Sequence, residues 1–165
     1  FSLYEDMSVL QNLQFFSGIY PVPVKNRNSI IEKMIDLFNF DQYVHTKSSD
    51  LPYGFKQRLA LCCAIMHKPK ILFLDEPTSG VDPLTRREFW NHIHSMVEKG
   101  VSIIITTHFM DEAEYCDRIA LMNKGKIIQI GTPEELKEAV RSKKLPMPTF
   151  EDAFIQLSSG VKGEN

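Results

Sequence analysis

The chain has only three cysteines, and none of them stands in the C-x-x-C spacing that is typical of zinc sites and redox motifs. Cys62 and Cys63 are adjacent within a segment of helical pattern, so we expect the thiols to be reduced packing residues. This usage indicates a reducing compartment. No apolar run reaches the roughly 18 residues that a membrane-spanning helix needs, and no signal peptide is visible.

The sequence also has no excess of charge of either sign. Its 19 Lys and Arg residues nearly balance its 21 Asp and Glu residues, for a net charge of −2. There is therefore no basic field that would indicate nucleic-acid binding. With 165 residues, of which 43% are hydrophobic, the chain is long enough for one domain with a real core.

The first half of the sequence has the periodicity of amphipathic helices. Two segments, 8–11 and 29–32, have the S-x-x-E/Q spacing of a capping box, and apolar residues at helical spacing follow each of them. A third helix is predicted from about Tyr53 to His67, since Pro69 stops it.

In the second half, predicted strands alternate with helices. The runs "KILFLDEP" (70–77) and "VSIIITTH" (101–108) are typical of buried strands. Asp82 is expected to cap the helix between them, and Gly100 to end it. The segment 118–131 reads as two further strands around a Lys-Gly turn. The alternation predicts an α/β fold with a parallel sheet.

Two adjacent carboxylates, Asp75 and Glu76, follow the first of these strands. The carboxyl end of a buried strand faces the crevice where α/β proteins bind ligands. A carboxylate there fits Mg²⁺, which takes one or two protein oxygens, and a second one fits a general base. Taken alone, the pair could equally be loop carboxylates that cap a neighbouring group.

Two other elements point to the same chemistry. His108 ends the second strand, where an imidazole can bond a phosphate oxygen and an attacking water, although a lone histidine there is more often structural. The segment "LPYGFKQRL" (51–59) places a glycine-containing loop directly before a helix, which offers N–H groups and a positive dipole end to an anion.

Together these elements resemble the ATP-binding subunit of ABC transporters. The resemblance rests on "LPYGFKQRLALCCAIMHKPKILFLDEPTSGVDP" (51–83) followed by "IIITTHFMDEAEYCDRI" (103–119), and "TFEDAFIQL" (149–157) is similar to the end of exporter ATPases. It implies ATP and Mg²⁺ as cofactors, a partial P-loop NTPase-type parallel sheet, and an N-terminal helical subdomain with the signature loop. It divides the chain into a helical subdomain (1–67), the Walker B and switch-histidine part of the core (68–140), and a tail (141–165).

The resemblance also assigns roles. Asp75 is implied as the Mg²⁺ ligand, Glu76 as the catalytic base, and His108 as the γ-phosphate sensor. The residues implied to contact ATP held by a second ATPase domain are Leu51, Pro52, Tyr53, Gly54, Phe55, Gln57 and Asp82. The implied partners are that second domain and a transmembrane subunit, at the cytoplasmic face of the membrane.

Two departures from the family pattern stand out. The usual signature Leu-Ser-Gly-Gly-Gln here has proline at position 52, which supplies neither a hydroxyl nor an N–H. The phosphate loop G-x-x-x-x-G-K-[ST] does not occur, because the one Gly-Lys pair, Gly125–Lys126, is followed by Ile127. We therefore expect the chain to be the second part of an ATPase domain, inactive by itself. The alternatives are a soluble ABC-type ATPase of DNA repair or translation, and a non-catalytic interaction module.

Overall fold

The computed structural model of the chain describes residues 3–159. The chain divides into two compact units, Phe1–Thr106 and Thr107–Asn165. This boundary falls within the segment 68–140, so the predicted functional division is a different one and stays a prediction. None of the helices between residues 3 and 159 combines the length and the apolar character that crossing a bilayer requires.

Between residues 3 and 106, the first unit contains four helices and two strands. Short 3-10 turns at Val24–Asn26 and Ser48–Asp50 precede its second and third helices. The elements, in chain order, are α1 (Val9–Ile19), α2 (Arg27–Leu37), α3 (Tyr53–Ile65), β1 (Ile71–Asp75), α4 (Pro83–Glu98) and β2 (Ser102–Thr106).

One predicted capping box is confirmed and the other is wrong. At α1, the Ser8 hydroxyl accepts from Gln11 N–H at 3.2 Å, and the Gln11 side chain accepts from Ser8 N–H at 2.9 Å. At α2, the cap residue is Asn26, three residues before the predicted Ser29. The 3-10 turn leads straight into this helix, so the Ser29 hydroxyl lies inside the first turn and donates back to Asn26 O at 3.0 Å.

The core of the first unit lies among its helices. The cysteines of α3 are free and buried, as expected for packing residues, and burial raises the pKa of both the Cys62 and Cys63 thiols. The largest fully buried apolar side chains of this unit are Phe38, Phe40, Leu13, Leu59, Leu61 and Met66.

Strands β1 and β2 form a parallel pair in which Phe73 lies beside Ile104 and Asp75 beside Thr106. The sequence predicts that both strands are buried on both faces, and for the described residues this is wrong. Of these ten residues only Leu72 is buried, while Phe73 is 72% exposed and Ile104 is 55% exposed. Alternate side chains of a strand point to opposite faces, so Phe73 and Ile104 lie on the same face of the pair. The helices of the unit leave this face open.

The described part of the second unit, residues 107–159, contains a hairpin and three helices around a small core of Ala113, Leu121, Leu136 and Phe150. The predicted turn is confirmed, with Lys124 and Gly125 at φ values of 49° and 75°, as two-residue hairpin loops require. This pair is antiparallel, so the sheet structure is not wholly parallel. The elements are α5 (Met110–Ala113), β3 (Ile119–Asn123), β4 (Lys126–Gly131), α6 (Pro133–Glu138) and α7 (Phe150–Ser159).

Candidate functional site

Asp75 and Glu76 lie at the carboxyl end of β1, and both are exposed. The neighbouring Thr106, at the end of β2, holds them through one hydroxyl. This hydroxyl donates to Asp75 Oδ1 at 2.5 Å and accepts from Glu76 N–H at 3.0 Å. Glu76 N–H also reaches Thr106 O at 3.1 Å. The Asp75 carboxylate and the Glu76 backbone are therefore fixed to the adjacent strand at the point where the chain leaves the sheet.

Glu76 has a backbone conformation that is uncommon for a residue with a side chain. Its φ is 43°, in the left-handed region, which costs on the order of 1–3 kcal/mol when the surroundings impose it. The turn continues with Ser79 N–H donating to Glu76 O at 3.1 Å, and the next residues, Pro77 and Thr78, are buried. The bonds from Thr106 and this buried turn together hold Glu76 in place.

The predicted signature loop, residues 51–55, joins the end of the 3-10 turn at Ser48–Asp50 to the first turn of α3. Leu51 is buried, whereas Pro52 and Tyr53 are exposed. Pro52 occupies the cap position and makes no side-chain cap bond, and its carbonyl accepts from Phe55 N–H at 2.9 Å. The exposed part of the loop is thus the first turn of a helix, which carries the positive end of the helix dipole.

Within the first unit, the signature loop packs against the turn that follows the carboxylates. Gly80 has a φ of 73°, and a Cβ placed there would lie 3.4 Å from the Tyr53 ring. A Cβ on Gly54 would lie only 2.7 Å from Thr85 Cγ2. These two glycines allow the loop, the turn and the start of α4 to come close together. The structure therefore brings the predicted residues 51–57 next to 80–85.

Three of the residues predicted to contact ATP, Tyr53, Phe55 and Gln57, make contacts within the chain. The Phe55 ring centroid is 4.5 Å from that of Tyr43, and the Arg58 guanidinium lies 4.9 Å over the Phe55 ring. Gln57 donates from Nε2 to the Tyr53 hydroxyl at 2.9 Å. Leu51 and Phe55 are therefore packing residues in this conformation, and their predicted contact with nucleotide stays a prediction.

Asp82 caps α4, as the sequence predicts. Its Oδ1 accepts from Leu84 N–H at 3.1 Å and from Thr85 N–H at 3.0 Å, and Pro83 takes the first helical position. Hydrogen bonds from the Thr85 side chain, and then from these N–H groups, lower the pKa of the Asp82 carboxyl. The ionised form of Asp82 is thus the form that the folded chain favours.

This lowered pKa predicts that the cap weakens in acid. A carboxyl whose folded pKa is depressed stabilises the fold above its unfolded pKa of about 3.9, and the effect is lost as the pH falls through the folded value. We expect Asp82→Ala to lower the Tm at pH 7, and its difference from wild type to shrink below about pH 4. Asp82→Asn, which keeps an acceptor, is the matched control, and thermal melts by circular dichroism measure all three. A wild-type-to-alanine difference that does not change with pH would contradict the prediction.

His108 belongs to the second unit, where it is exposed and its ring centroid lies 4.2 Å from that of Phe109. The residues on each side of it are held by hydrogen bonds. The Thr107 hydroxyl accepts from Phe109 N–H at 3.0 Å and donates to Glu112 Oε2 at 2.6 Å. The predicted sensor therefore lies on an ordered turn that leads into α5.

The sequence analysis missed three threonines that organise these segments. Thr106 bonds the Asp75 carboxylate and the Glu76 N–H, Thr107 bonds the backbone just after the histidine, and Thr85 lies against Gly54. The signal was present in "TTH", because a hydroxyl beside a strand end can bond backbone groups that the sheet leaves free. No comparable signal marks Thr85, since its contact depends on how two helices pack.

The site residues can be compared with the needs of the implied cofactors. The exposed Asp75 carboxylate at a strand end is a hard oxygen ligand of the kind that Mg²⁺ accepts, with phosphate and water completing the shell. The first turn of α3 suits a phosphate group. Neither segment supplies the glycine-rich cradle and lysine that a phosphate loop provides.

Comparisons with known proteins show what the sequence is similar to. The family model described as "ABC transporter" matches residues 1–79. The chain is 59% identical over 157 residues to the probable multidrug ABC transporter ATP-binding protein YbhF of Escherichia coli (strain K12), covering 95% of this chain and 27% of that protein. It is 34% identical over 139 residues to the Nod factor export ATP-binding protein I of Burkholderia orbicola, covering 84% of this chain and 46% of that protein.

The comparison with solved structures also finds ABC transporter ATP-binding subunits. A solved structure of the ATP-binding subunit of an ABC transporter superposes with a TM-score of 0.80 at 22% identity, over 94% of this chain and 64% of that one. The α/β fold with its parallel strands and helices is thereby confirmed. The chain spans 27% and 46% of the length of the two relatives above. Its sequence and its fold agree, and both support the identification of the chain as part of an ABC transporter ATP-binding domain.

Proposed function

We propose that this chain is the part of an ABC transporter ATPase that carries the catalytic base, the switch histidine and the signature loop. The complete protein hydrolyses ATP and drives transport through a transmembrane partner. The observation that carries the proposal is the Asp75–Glu76 pair, held at the end of β1 by the Thr106 hydroxyl. Similarity to the ABC transporter family supports it.

In this proposal the two carboxylates have different tasks. Asp75 holds Mg²⁺, which neutralises the phosphate oxygens, and Glu76 accepts the proton of the attacking water. The rigid turn at Glu76 supports the second role, because a base must be held in line with the phosphorus that the water attacks. His108 bonds the γ-phosphate.

The signature loop is proposed to act on ATP bound by a second ATPase domain. The exposed first turn of α3, with Pro52 and Tyr53, offers its positive end to the γ-phosphate, and Asp82 contacts the opposite domain. The packing of Tyr53 on Gly80 joins this loop to the turn that follows Glu76. Since Pro52 provides no hydroxyl, this loop contributes less to phosphate binding than the usual serine does.

The direction of transport is proposed to be export, from the cytoplasmic face of the membrane. The named functions of the relatives, multidrug transport and Nod factor export, support this direction. The transmembrane partner selects the substrate.

The proposal is tested by comparing the complete protein with the 165-residue chain. We expect the complete protein to hydrolyse ATP when Mg²⁺ is present. We expect the chain alone to bind ATP no more tightly than about 1 mM, or roughly −4 kcal/mol, because it has no phosphate loop and presents two carboxylates to an anion. Isothermal titration calorimetry and phosphate release measure the two quantities. A complete protein without ATPase activity would overturn the proposed function. Micromolar ATP binding by the 165-residue chain would reveal a phosphate site that the sequence does not indicate.

A further inference from the structure

One buried charged residue has no part in the proposed mechanism. Glu112 lies in α5 and is completely buried, with 0% of its surface exposed. Glutamate is almost never buried to this extent unless it is paired, because taking a carboxylate out of water is costly. Its Oε2 accepts from the Thr107 hydroxyl at 2.6 Å, and both residues lie within the second unit.

The Thr107 hydroxyl also bonds the backbone on the other side of His108. A threonine hydroxyl has one proton to donate and two lone pairs that accept. Because its proton goes to Glu112, the Thr107 oxygen presents a lone pair to Phe109 N–H, 3.0 Å away. The two bonds fix the backbone on each side of His108, so the direction of the hydroxyl decides how this turn is held.

Glu112 is itself anchored on the far side of the turn. Its N–H donates to Phe109 O at 3.2 Å, and its carbonyl accepts from Tyr115 N–H at 3.0 Å. The backbone that carries the buried carboxylate is therefore fixed, and the Thr107 hydroxyl takes its orientation from its bond to this carboxylate. The exposed His108 ring lies at the tip of this arrangement, beside the Phe109 ring.

We propose that Thr107 and Glu112 are positioning residues for His108. The buried carboxylate orients the Thr107 hydroxyl, and the hydroxyl holds the turn so that the imidazole points to the γ-phosphate. This inference rests on the proposed function, because it takes His108 as the phosphate sensor. The effect belongs to the step in which charge develops on the phosphate, so it changes kcat and leaves KM unchanged.

The experiment measures ATP hydrolysis by the complete protein with three variants. Thr107→Val keeps the shape of the side chain and removes the hydroxyl, and we expect kcat to fall about 10- to 100-fold, as misplacing a catalytic group does, with KM within about twofold. Thr107→Ser keeps the hydroxyl and should retain kcat within about threefold of wild type. Glu112→Gln keeps an acceptor without the charge and should lower kcat by about 3- to 10-fold.

Glu114→Gln is the matched control. Glu114 lies two residues from Glu112, but its carboxylate is partly exposed and pairs with Lys137 at 2.9 Å. Such a pair contributes little, so we expect kcat to stay within about twofold of wild type. Circular dichroism verifies that every variant is folded.

A second readout does not depend on activity. In the 165-residue chain, the nuclear Overhauser contact between the His108 and Phe109 rings should be lost or weakened in Thr107→Val and retained in Thr107→Ser. A folded Thr107→Val protein with normal kcat and an unchanged ring contact would overturn the inference. If Thr107→Val does not fold, Glu112→Gln decides, and normal kcat in that variant overturns it. If the complete wild-type protein does not hydrolyse ATP, that result would instead count against the proposed function.

Discussion

Glu76→Gln in the complete protein is expected to slow ATP hydrolysis by about 10²- to 10⁴-fold, the range for loss of a general base, while ATP binding persists. Glutamine has nearly the shape of glutamate, but it cannot accept the proton of the attacking water. The backbone bonds from Glu76 N–H to Thr106 do not involve the side chain, so the turn should survive the change. Single-turnover hydrolysis and nucleotide binding measure the two effects separately.

Glu98→Gln provides the control for this substitution. Glu98 is the exposed last residue of α4, at the end of the helix remote from the Asp82 cap. Removing a negative charge at a helix C-terminus is neutral or slightly favourable, so we expect normal activity. Hydrolysis at the wild-type rate by Glu76→Gln would show that another group is the base.

Local signals in the sequence predicted two of the helix starts and the hairpin turn. Ser8 with Gln11, Asp82 with Pro83, and Lys124 with Gly125 each act through neighbours in the chain, and each is observed. Such features depend on hydrogen bonds across two to four residues, which the sequence states directly. The start of α2 was predicted at Ser29, but the helix is capped at Asn26, because the 3-10 turn before it leads directly into the helix.

The site was predicted less completely because its contacts join distant parts of the chain. Nothing near Gly54 indicates that it faces Thr85, 31 positions further along the chain, at a distance that leaves no room for a Cβ. The same holds for Tyr53 against Gly80. Motif spacing identifies which residues carry chemistry, but the packing of α3 against the turn before α4 decides which of them are exposed.

Packing also explains why a signature loop can carry proline and tyrosine. Pro52 occupies a cap position whose own N–H is not part of the helix ladder, so the helix loses no bond there. Tyr53 points its ring at Gly80 and its hydroxyl at Gln57. The Tyr53 side chain therefore ties the loop both to the turn at Gly80 and to the second turn of α3.

The exposed face of the parallel strand pair leads to the second large prediction. Phe73 and Ile104 are neighbours in register on this face, with Ile71 next to them, and all three are more than half exposed. Two strands are marginal by themselves, and parallel sheets are almost always covered on both faces. Burying one phenylalanine contributes about 1.5–3 kcal/mol, so several such residues favour association. We therefore expect the 165-residue chain to self-associate through residues 71–75 and 101–107.

Size-exclusion chromatography with light scattering tests this on a paired variant. Phe73→Glu with Ile104→Lys replaces the apolar contact by opposite charges on adjacent strands, which preserves the pairing, and should convert the chain to a monomer. Ile19→Glu with Val24→Lys makes the same charge changes at exposed apolar positions in the helical part, and should leave association unchanged. Unpaired strand edges drive such association through main-chain bonds as well, so residues 101–107 should be protected from hydrogen exchange in the associated form. A wild-type chain that elutes as a monodisperse monomer, with these amides exchanging freely, would show that neither the face nor the edge of this sheet recruits a second copy.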